Sequence, residues 1–265
     1  MARFLQLTDL HVVNEGALAS GVLDTRNLLR TAIDRLQELR PALAPLDAVL
    51  VSGDISDDGS IESYAFARTE LNRLGLPLYV VPGNHDAREP MRAAFADLPE
   101  MPGMGLIDWV ADVGNTRVVG LDTLVEGRGG GQLRDESLDM LRDALEAAGS
   151  GPVIIMLHHP PIQTGIRFMD AIGLENAHAL EMILVDVHNP VTLVAGHVHG
   201  VHHGRLGHHH VATAPSTCSG FAMDRRTEAA TGFFRGPTGC AVIDTNPGGI
   251  WSAVPLEPAD GPFPF

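Results

Sequence analysis

The sequence predicts a layered α/β domain with two β-sheets, and three observations carry that expectation. Short β-rich apolar runs recur at Phe4 to Leu7, Ala48 to Ser52, Leu78 to Val81, Arg117 to Leu121, Val153 to Leu157 and Val191 to Ala195, each bounded by Gly, Pro or polar residues. Helical patterns separate the first three of these runs. After His199 the helical period disappears and short strands alternate with turns.

In chain order, the strand at Phe4 leads to a helix with Leu29, Ile33, Leu36 and Leu39 on one face. The strand at Ala48 leads to a second helix, with Tyr64, Arg68, Leu71 and Leu74 on a mixed face. A third helix is expected over Asp135 to Ala147, where Leu138, Leu141 and Leu145 recur after the flexible Gly129-Gly130-Gly131 run. A fourth covers Glu175 to Val187. The strands at Val201 to Leu206, Val211 to Ala214, Ala241 to Asp244 and Ile250 to Leu256 are expected to make the second sheet, and Pro255 to Phe265 an extended tail on the surface or on a partner. The whole is one domain over residues 1–265, with a helical insert at about 163–188 and a β-rich part at about 201–265.

Composition limits the function classes. A chain of 265 residues with 45% apolar content can bury one sizeable core. No stretch approaches the roughly 18 to 20 consecutive apolar residues of a membrane span, and the start of the sequence lacks a signal-peptide pattern, so the cytoplasm is the expected location. Cys218 and Cys240 lack CxxC spacing and read as small core residues, with a disulfide left open. A net charge of −15 disfavours a long nucleic acid as partner, because such binders need a basic stripe. A small anion is still compatible, since exposed charges are screened beyond about 8 to 10 Å and bound cations can reverse the potential inside a cleft.

Five motifs end the predicted strands in order: Asp9-Leu10-His11, Gly53-Asp54, Gly83-Asn84-His85-Asp86, His158-His159-Pro160-Pro161 and Gly196-His197-Val198-His199. In open α/β sheets the carboxyl ends of strands surround the ligand crevice, so distant segments deliver side chains to one place. Asp9 with His11, and His197 with His199, are two apart, which in extended chain turns both side chains to one side. The glycines before Asp54, Asn84 and His197 suit sharp turns. Carboxylate, amide and imidazole donors without a thiolate suit Mn, Fe, Co or Zn, and seven candidate ligands exceed what one ion needs. Two ions about 3.5 to 4 Å apart are a common solution to phosphoryl displacement.

Single motifs of this kind are more often turn chemistry; their ordered recurrence is what points to a metal centre. Asp57 and Asp58 read as a solvated turn with a helix cap. His202, His203, His208, His209 and His210 read as a histidine-rich hairpin around Gly207, with a further metal site as the alternative. His159, next to His158, is expected in the pocket wall with its side chain turned the other way.

The ordered set DxH, GD, GNHD, HHPP and GHVH resembles the calcineurin-like metallophosphoesterase superfamily over residues from about 4 to 200, and is most similar to bacterial class III cyclic-nucleotide and glycerophosphodiester phosphodiesterases. The resemblance implies a sandwich of two mixed β-sheets flanked by helices. It implies two divalent ions, one held by Asp9, His11 and His199, the other by Asn84, His158 and His197, with Asp54 between them. It also implies His85 as the proton donor, oriented or tuned by Asp86. Met169, Asn176 and His178, in the segment after HHPP, together with His159 and Ser219, are candidate substrate contacts. The segment after Asp54 lacks the arginine of protein phosphatases, and Asp57 stands where purple acid phosphatases carry a metal-binding Tyr.

The function so implied is hydrolysis of small phosphodiesters, 3′,5′-cyclic nucleotides or glycerophosphodiesters, by in-line attack of hydroxide on phosphorus. A broad phosphomonoesterase and a non-catalytic metal sensor are the alternatives. By the same analogy the chain forms a homodimer or larger homo-oligomer.

Overall fold

The computed structural model describes residues 2–246, 249–260 and 263. Its first sheet holds β1 (Arg3–Leu7), β2 (Ala48–Ser52), β3 (Leu78–Val81), β10 (Gly239–Asp244) and β11 (Ile250–Pro255) in the order β11-β10-β1-β2-β3. The second holds β4 (Trp109–Val113), β5 (Thr116–Leu121), β6 (Val153–Leu157), β7 (Val191–Ala195), β8 (His202–Leu206) and β9 (His209–Thr213) in the order β4-β5-β6-β7-β9-β8. Central strands β1, β2 and β3 run parallel, as do β5, β6, β7 and β9. Antiparallel strands close the edges, so both sheets are mixed.

The sheets face one another, and side-chain alternation in β6 shows how. Ile154 and Met156 join the core shared with Phe4, Leu50 and Val80 of the first sheet, whereas Val153, Ile155 and Leu157 pack under helices α4 (Asp135–Ala147) and α6 (Ala177–Leu184). Being buried on both faces, β2 and β6 read as continuous apolar runs rather than alternating ones. Helices α1 (Thr25–Leu43) and α2 (Ile61–Asn72) cover the outside of the first sheet through Leu29, Ile33, Tyr64 and Leu71. Asp24 caps α1 by accepting from Asn27 N at 3.0 Å, and Ser60 caps α2 by accepting from Ser63 N at 3.1 Å.

The expected second sheet of C-terminal strands is corrected. Strands β8 and β9 extend the sheet begun by β4 to β7, whereas β10 and β11 return to the first sheet beside β1. Period and turn signals identify a strand but not its partner, which long-range register decides. Strand β4 and the short helix α3 (Arg88–Ala94) are additions to the elements expected, whereas the short helix α5 (Arg167–Asp170) lies within the expected helical insert. Cys218 and Cys240 are buried free thiols. Of the tail, Leu256 is buried and residues 257–260 are exposed, while 261–262 and 264–265 lie outside the described residues.

Candidate metal centre

All five motifs sit where the parallel strands end: Asp9 and His11 after β1, Asp54 after β2, Asn84 and His85 after β3, His158 after β6, His197 and His199 after β7. The means of convergence differs from the extended chain expected for the paired motifs. Asp9, His11, Asp54, His197 and His199 have φ of 52°, 46°, 50°, 71° and 46°, the left-handed region that non-glycine residues seldom occupy. Such local strain, repeated at five of the seven candidate ligands, is held by surrounding hydrogen bonds and is a mark of a functional constellation. Among those bonds, Asp9 N donates to Gly53 O at 3.0 Å and His11 N to Asp54 O at 2.9 Å, so the turn after β1 is laced to the turn after β2. At Gly83 a Cβ would collide with the Asp54 carboxylate, so only glycine lets the third turn approach.

The side chains meet as a buried cluster. Nε2 of His11 lies 3.1 Å from Nε2 of His199 and 3.5 Å from Asp54 Oδ2, and His199 Nε2 lies 3.4 Å from Asp9 Oδ1. Nε2 of His158 lies 3.3 Å from Asp54 Oδ2 and 3.1 Å from Asn84 Oδ1. Asp54 thus stands between two groups of donors. Each imidazole anchors its other nitrogen on a protein oxygen: His11 Nδ1 on Asp57 at 2.8 Å, His158 Nδ1 on Ser52 O at 2.8 Å, His199 Nδ1 on Ser219 Oγ at 2.8 Å, and His197 Nε2 on Ile172 O at 3.0 Å. The Asp57 carboxylate and the Ser52 and Ile172 carbonyls can only accept, so in the neutral rings of His11, His158 and His197 the other nitrogen carries the lone pair, the arrangement of imidazoles that ligate a metal. The Ser219 hydroxyl can hold His199 in the same way. The donor set therefore fits metal ions on its own chemistry, with Asp9, His11 and His199, and Asp9, Asp54 and His158, as two compact groups.

Charge inside the cluster is shared. Burial pushes the Asp9 carboxyl up to about 6. Burial acts the same way on Asp54, but His158, His11 and His85 outweigh it and hold that carboxyl well below the usual range. Burial opposes charge on His158, yet Asp54 and Asp9 raise its imidazole to about 9. Burial and neighbouring histidines draw His197 and His199 well below the ordinary histidine range.

His85 lies at the mouth of the cluster, its backbone N donating to Asp54 Oδ1 at 2.8 Å. The carboxylate that meets its ring is that of Asp57, at 3.1 Å from Nδ1, and not that of Asp86. Asp86 instead accepts from Gly83 N at 2.8 Å, Ser56 N at 3.0 Å, Ile55 N at 3.2 Å and Tyr64 Oη at 2.9 Å, tying together the turns that carry Asp54 and Asn84. Burial would lower the His85 imidazole, but Asp57 and Asp54 raise it to about 9. Asp57, expected as a solvated turn residue, joins His11 to His85. Its spacing from Asp54, the position of the purple acid phosphatase Tyr, was the signal that it faces the centre.

Of the candidate substrate contacts, Met169 and Ser219 line the cleft. Three do not. His159 is fully buried between Thr123 Oγ1 at 2.7 Å and Gly129 O at 3.0 Å. The Asn176 side chain bridges the backbone N and O of Leu133, both at 2.9 Å. His178 is exposed beside Glu181. The cleft wall is instead completed by Leu23, Ile172, Phe221 and Phe233, apolar residues that carry no motif. The histidine-rich hairpin is formed by β8 and β9, with His208 and His209 bonded to Val187 O and Leu184 O, and no metal-binding group occurs there among the described residues. Asp58 serves its turn, accepting from Ser60 N and Asn14 N at 3.0 Å each.

The family model described as calcineurin-like phosphoesterase matches residues 2–201, which spans every motif of the cluster. The chain belongs to that family. It is 36% identical over 218 residues to the 3′,5′-cyclic adenosine monophosphate phosphodiesterase CpdA of Pseudomonas aeruginosa, covering 82% of this chain and 77% of that protein. It is 29% identical to the probable glycerophosphodiester phosphodiesterase GpdQ of Arcobacter nitrofigilis over 98% of this chain and 96% of that protein. A dimetal phosphatase of Danio rerio has the same fold, with a TM-score of 0.68 at 16% identity over 97% of this chain and 96% of that one. The phosphoesterase family and the buried His and Asp donors together place the chain among metal-dependent hydrolases. Among the described residues no helix of this phosphoesterase is long and apolar enough to cross a membrane.

Proposed function

We propose that this protein hydrolyses small phosphodiesters, 3′,5′-cyclic nucleotides or glycerophosphodiesters, with two divalent ions, Mn, Fe, Zn or Co, in the cluster. The observation that carries this is the set of histidines whose second nitrogens are locked on protein oxygens while the first nitrogens of His11, His158 and His199 converge on Asp9, Asp54 and Asn84, with the His197 ring packed against that of His158. Asp9, His11 and His199 would hold one ion and Asn84, His158 and His197 the other, with Asp54 available to both. Bound there, divalent ions supply polarisation of phosphate oxygens and water of lowered pKa. With only two ligand carboxylates, Asp9 and Asp54, two such ions would leave a local positive surplus, so an acidic protein of net charge −15 could still take a monoanionic diester.

The rest of the chemistry belongs to the chain. His85 stands beside Asp54 with Asp57 accepting from its Nδ1 side, which favours the protonated ring and leaves Nε2 to donate to a departing alkoxide. Asp57 positions two rings at once and is the orienting residue in this scheme, while Asp86 sets the backbone turns. The buried free cysteines suit a cytoplasmic enzyme, and the exposed apolar Met223 and Phe234 suit a homo-oligomer.

Metal-loaded protein assayed against bis(p-nitrophenyl) phosphate and p-nitrophenyl phosphate tests the proposal. Faster turnover of the diester is expected. Preference for the monoester supports the phosphomonoesterase alternative, and turnover of neither supports a metal sensor.

A further inference from the structure

From Gly220 to Phe234 the chain leaves the sheets in an excursion whose ends are pinned together. Gly220 N donates to Phe234 O at 3.0 Å and Phe234 N to Gly220 O at 2.7 Å, so residues 221–233 form an arch with both feet at one point. Those feet are aromatic. Phe221 and Phe233 both line the cleft that also contains His85, Asn84 and His199. The tip of the arch reaches across to the 163–166 turn: a Cβ on Gly165, at φ +88°, would lie 3.2 Å from Arg225 Nε and 3.3 Å from Met223 Cε.

The two rings are set by packing. Phe221 lies on the His199 ring with centroids 4.5 Å apart and planes 31° from parallel, and Phe168 abuts it edge-on at 5.2 Å. Phe233 packs on the small cluster of Val13, Ala19 and Leu23. Together with Leu23, Met169 and Ile172 they make the apolar wall of the cleft, whose whole volume, metal donors included, is about 160 Å³; Ser20 and Ser219 offer the hydroxyls in its lining and no Lys or Arg appears. Ser219 is already engaged by His199. A glycerol arm held there would give up water for its hydroxyls with few partners in return, whereas a planar heteroaromatic ring would exchange water for apolar contact with the phenyl groups of the wall.

We infer that Phe221 and Phe233 are specificity-determining residues, an aromatic clamp that takes the base of a nucleoside phosphodiester and discriminates against a glycerol arm. This rests on the diesterase activity proposed above. Stacking of a base on one aromatic side chain changes affinity by roughly tenfold or more, so each ring alone is enough to set a preference.

The test compares kcat/KM of metal-loaded protein for 3′,5′-cyclic AMP and glycerophosphoethanolamine, and calorimetric affinity for the products AMP and glycerol 3-phosphate. The wild type is expected to favour the nucleotide in both. Phe221→Ala and Phe233→Ala are each expected to lower the nucleotide-to-glycerol ratio of kcat/KM by about tenfold or more and to lower AMP affinity by a similar factor. Phe233→Ala, whose ring packs on Val13, Ala19 and Leu23 rather than on a metal-binding histidine, covers the case in which loss of Phe221 disturbs His199, and Phe221→Tyr should keep the wild-type ratio. Equal affinity for the two products in the wild type, or variants with an unchanged ratio, would overturn the clamp. Nucleotide-selective product binding in a protein that cleaves no diester would instead sustain the clamp and refute the diesterase activity.

Discussion

The Nε2 atoms of His11 and His199 face each other across 3.1 Å while the Nδ1 atoms are anchored on Asp57 and Ser219. Two imidazole nitrogens brought so close in a buried site must share a proton or a cation between them. Asp54 and Asp9 at 3.5 and 3.4 Å from the same nitrogens complete a cradle that only a cation or a proton satisfies.

Protons and metal ions must then compete. His158 in the metal-free protein is raised to about 9, so near neutral pH its imidazole is protonated and must lose that proton to bind an ion. Metal affinity is expected to rise as pH increases from 7 toward 9 and then to level off, with proton release at pH 7.5. Calorimetric titration of metal in two buffers of different ionisation enthalpy measures the release, and identical heats would contradict it.

Removing the Asp57 carboxylate releases both His11 and His85. Asp57→Ala is expected to reduce turnover or metal affinity by roughly 10- to 100-fold, as loss of a residue orienting a metal-binding imidazole does. Because Asp57 raises the His85 pKa, the variant should also lose activity at lower pH than the wild type on the alkaline side. A superimposable pH profile would exclude the pairing from the mechanism.

His85→Ala separates proton donation from metal binding. Turnover should drop by about 10²- to 10⁴-fold, the usual range for a general acid. Bound metal, measured by elemental analysis, should stay at the wild-type level; a matching loss of metal would make His85 a ligand instead.

Asp86 has the opposite signature. Its buried carboxylate takes three backbone N–H groups and the Tyr64 hydroxyl, and Asp86→Ala leaves these donors without partners. Urea denaturation should show a loss of roughly 3 kcal/mol or more, whereas His85→Ala changes stability little.

Much of this was legible in sequence because it is local. Apolar runs such as Val153 to Leu157 mark strands buried on both faces, and five motifs at strand ends mark the donors. What escaped depends on long-range geometry. Nothing in Gly239 to Asp244 tells that it pairs with Arg3 to Gln6 rather than with the neighbouring C-terminal strands. Left-handed backbone at Asp9 and His197 replaces the extended chain that a two-residue spacing suggests, since hydrogen bonds between turns override local preference. Asp57 looked like turn chemistry because its partners, His11 and His85, are 46 and 28 residues away. Asn176 and His178 follow a helical segment near the cleft, but their side chains point to Leu133 and Glu181.

Stripping the protein with chelator, reconstituting it and counting ions by plasma mass spectrometry tests the central claim most directly. The account predicts about two transition ions per chain in the wild type and one or fewer in Asp54→Asn, whose shared carboxylate is gone. A wild type that retains no stoichiometric ion, or an Asp54→Asn protein that still holds two, would contradict it.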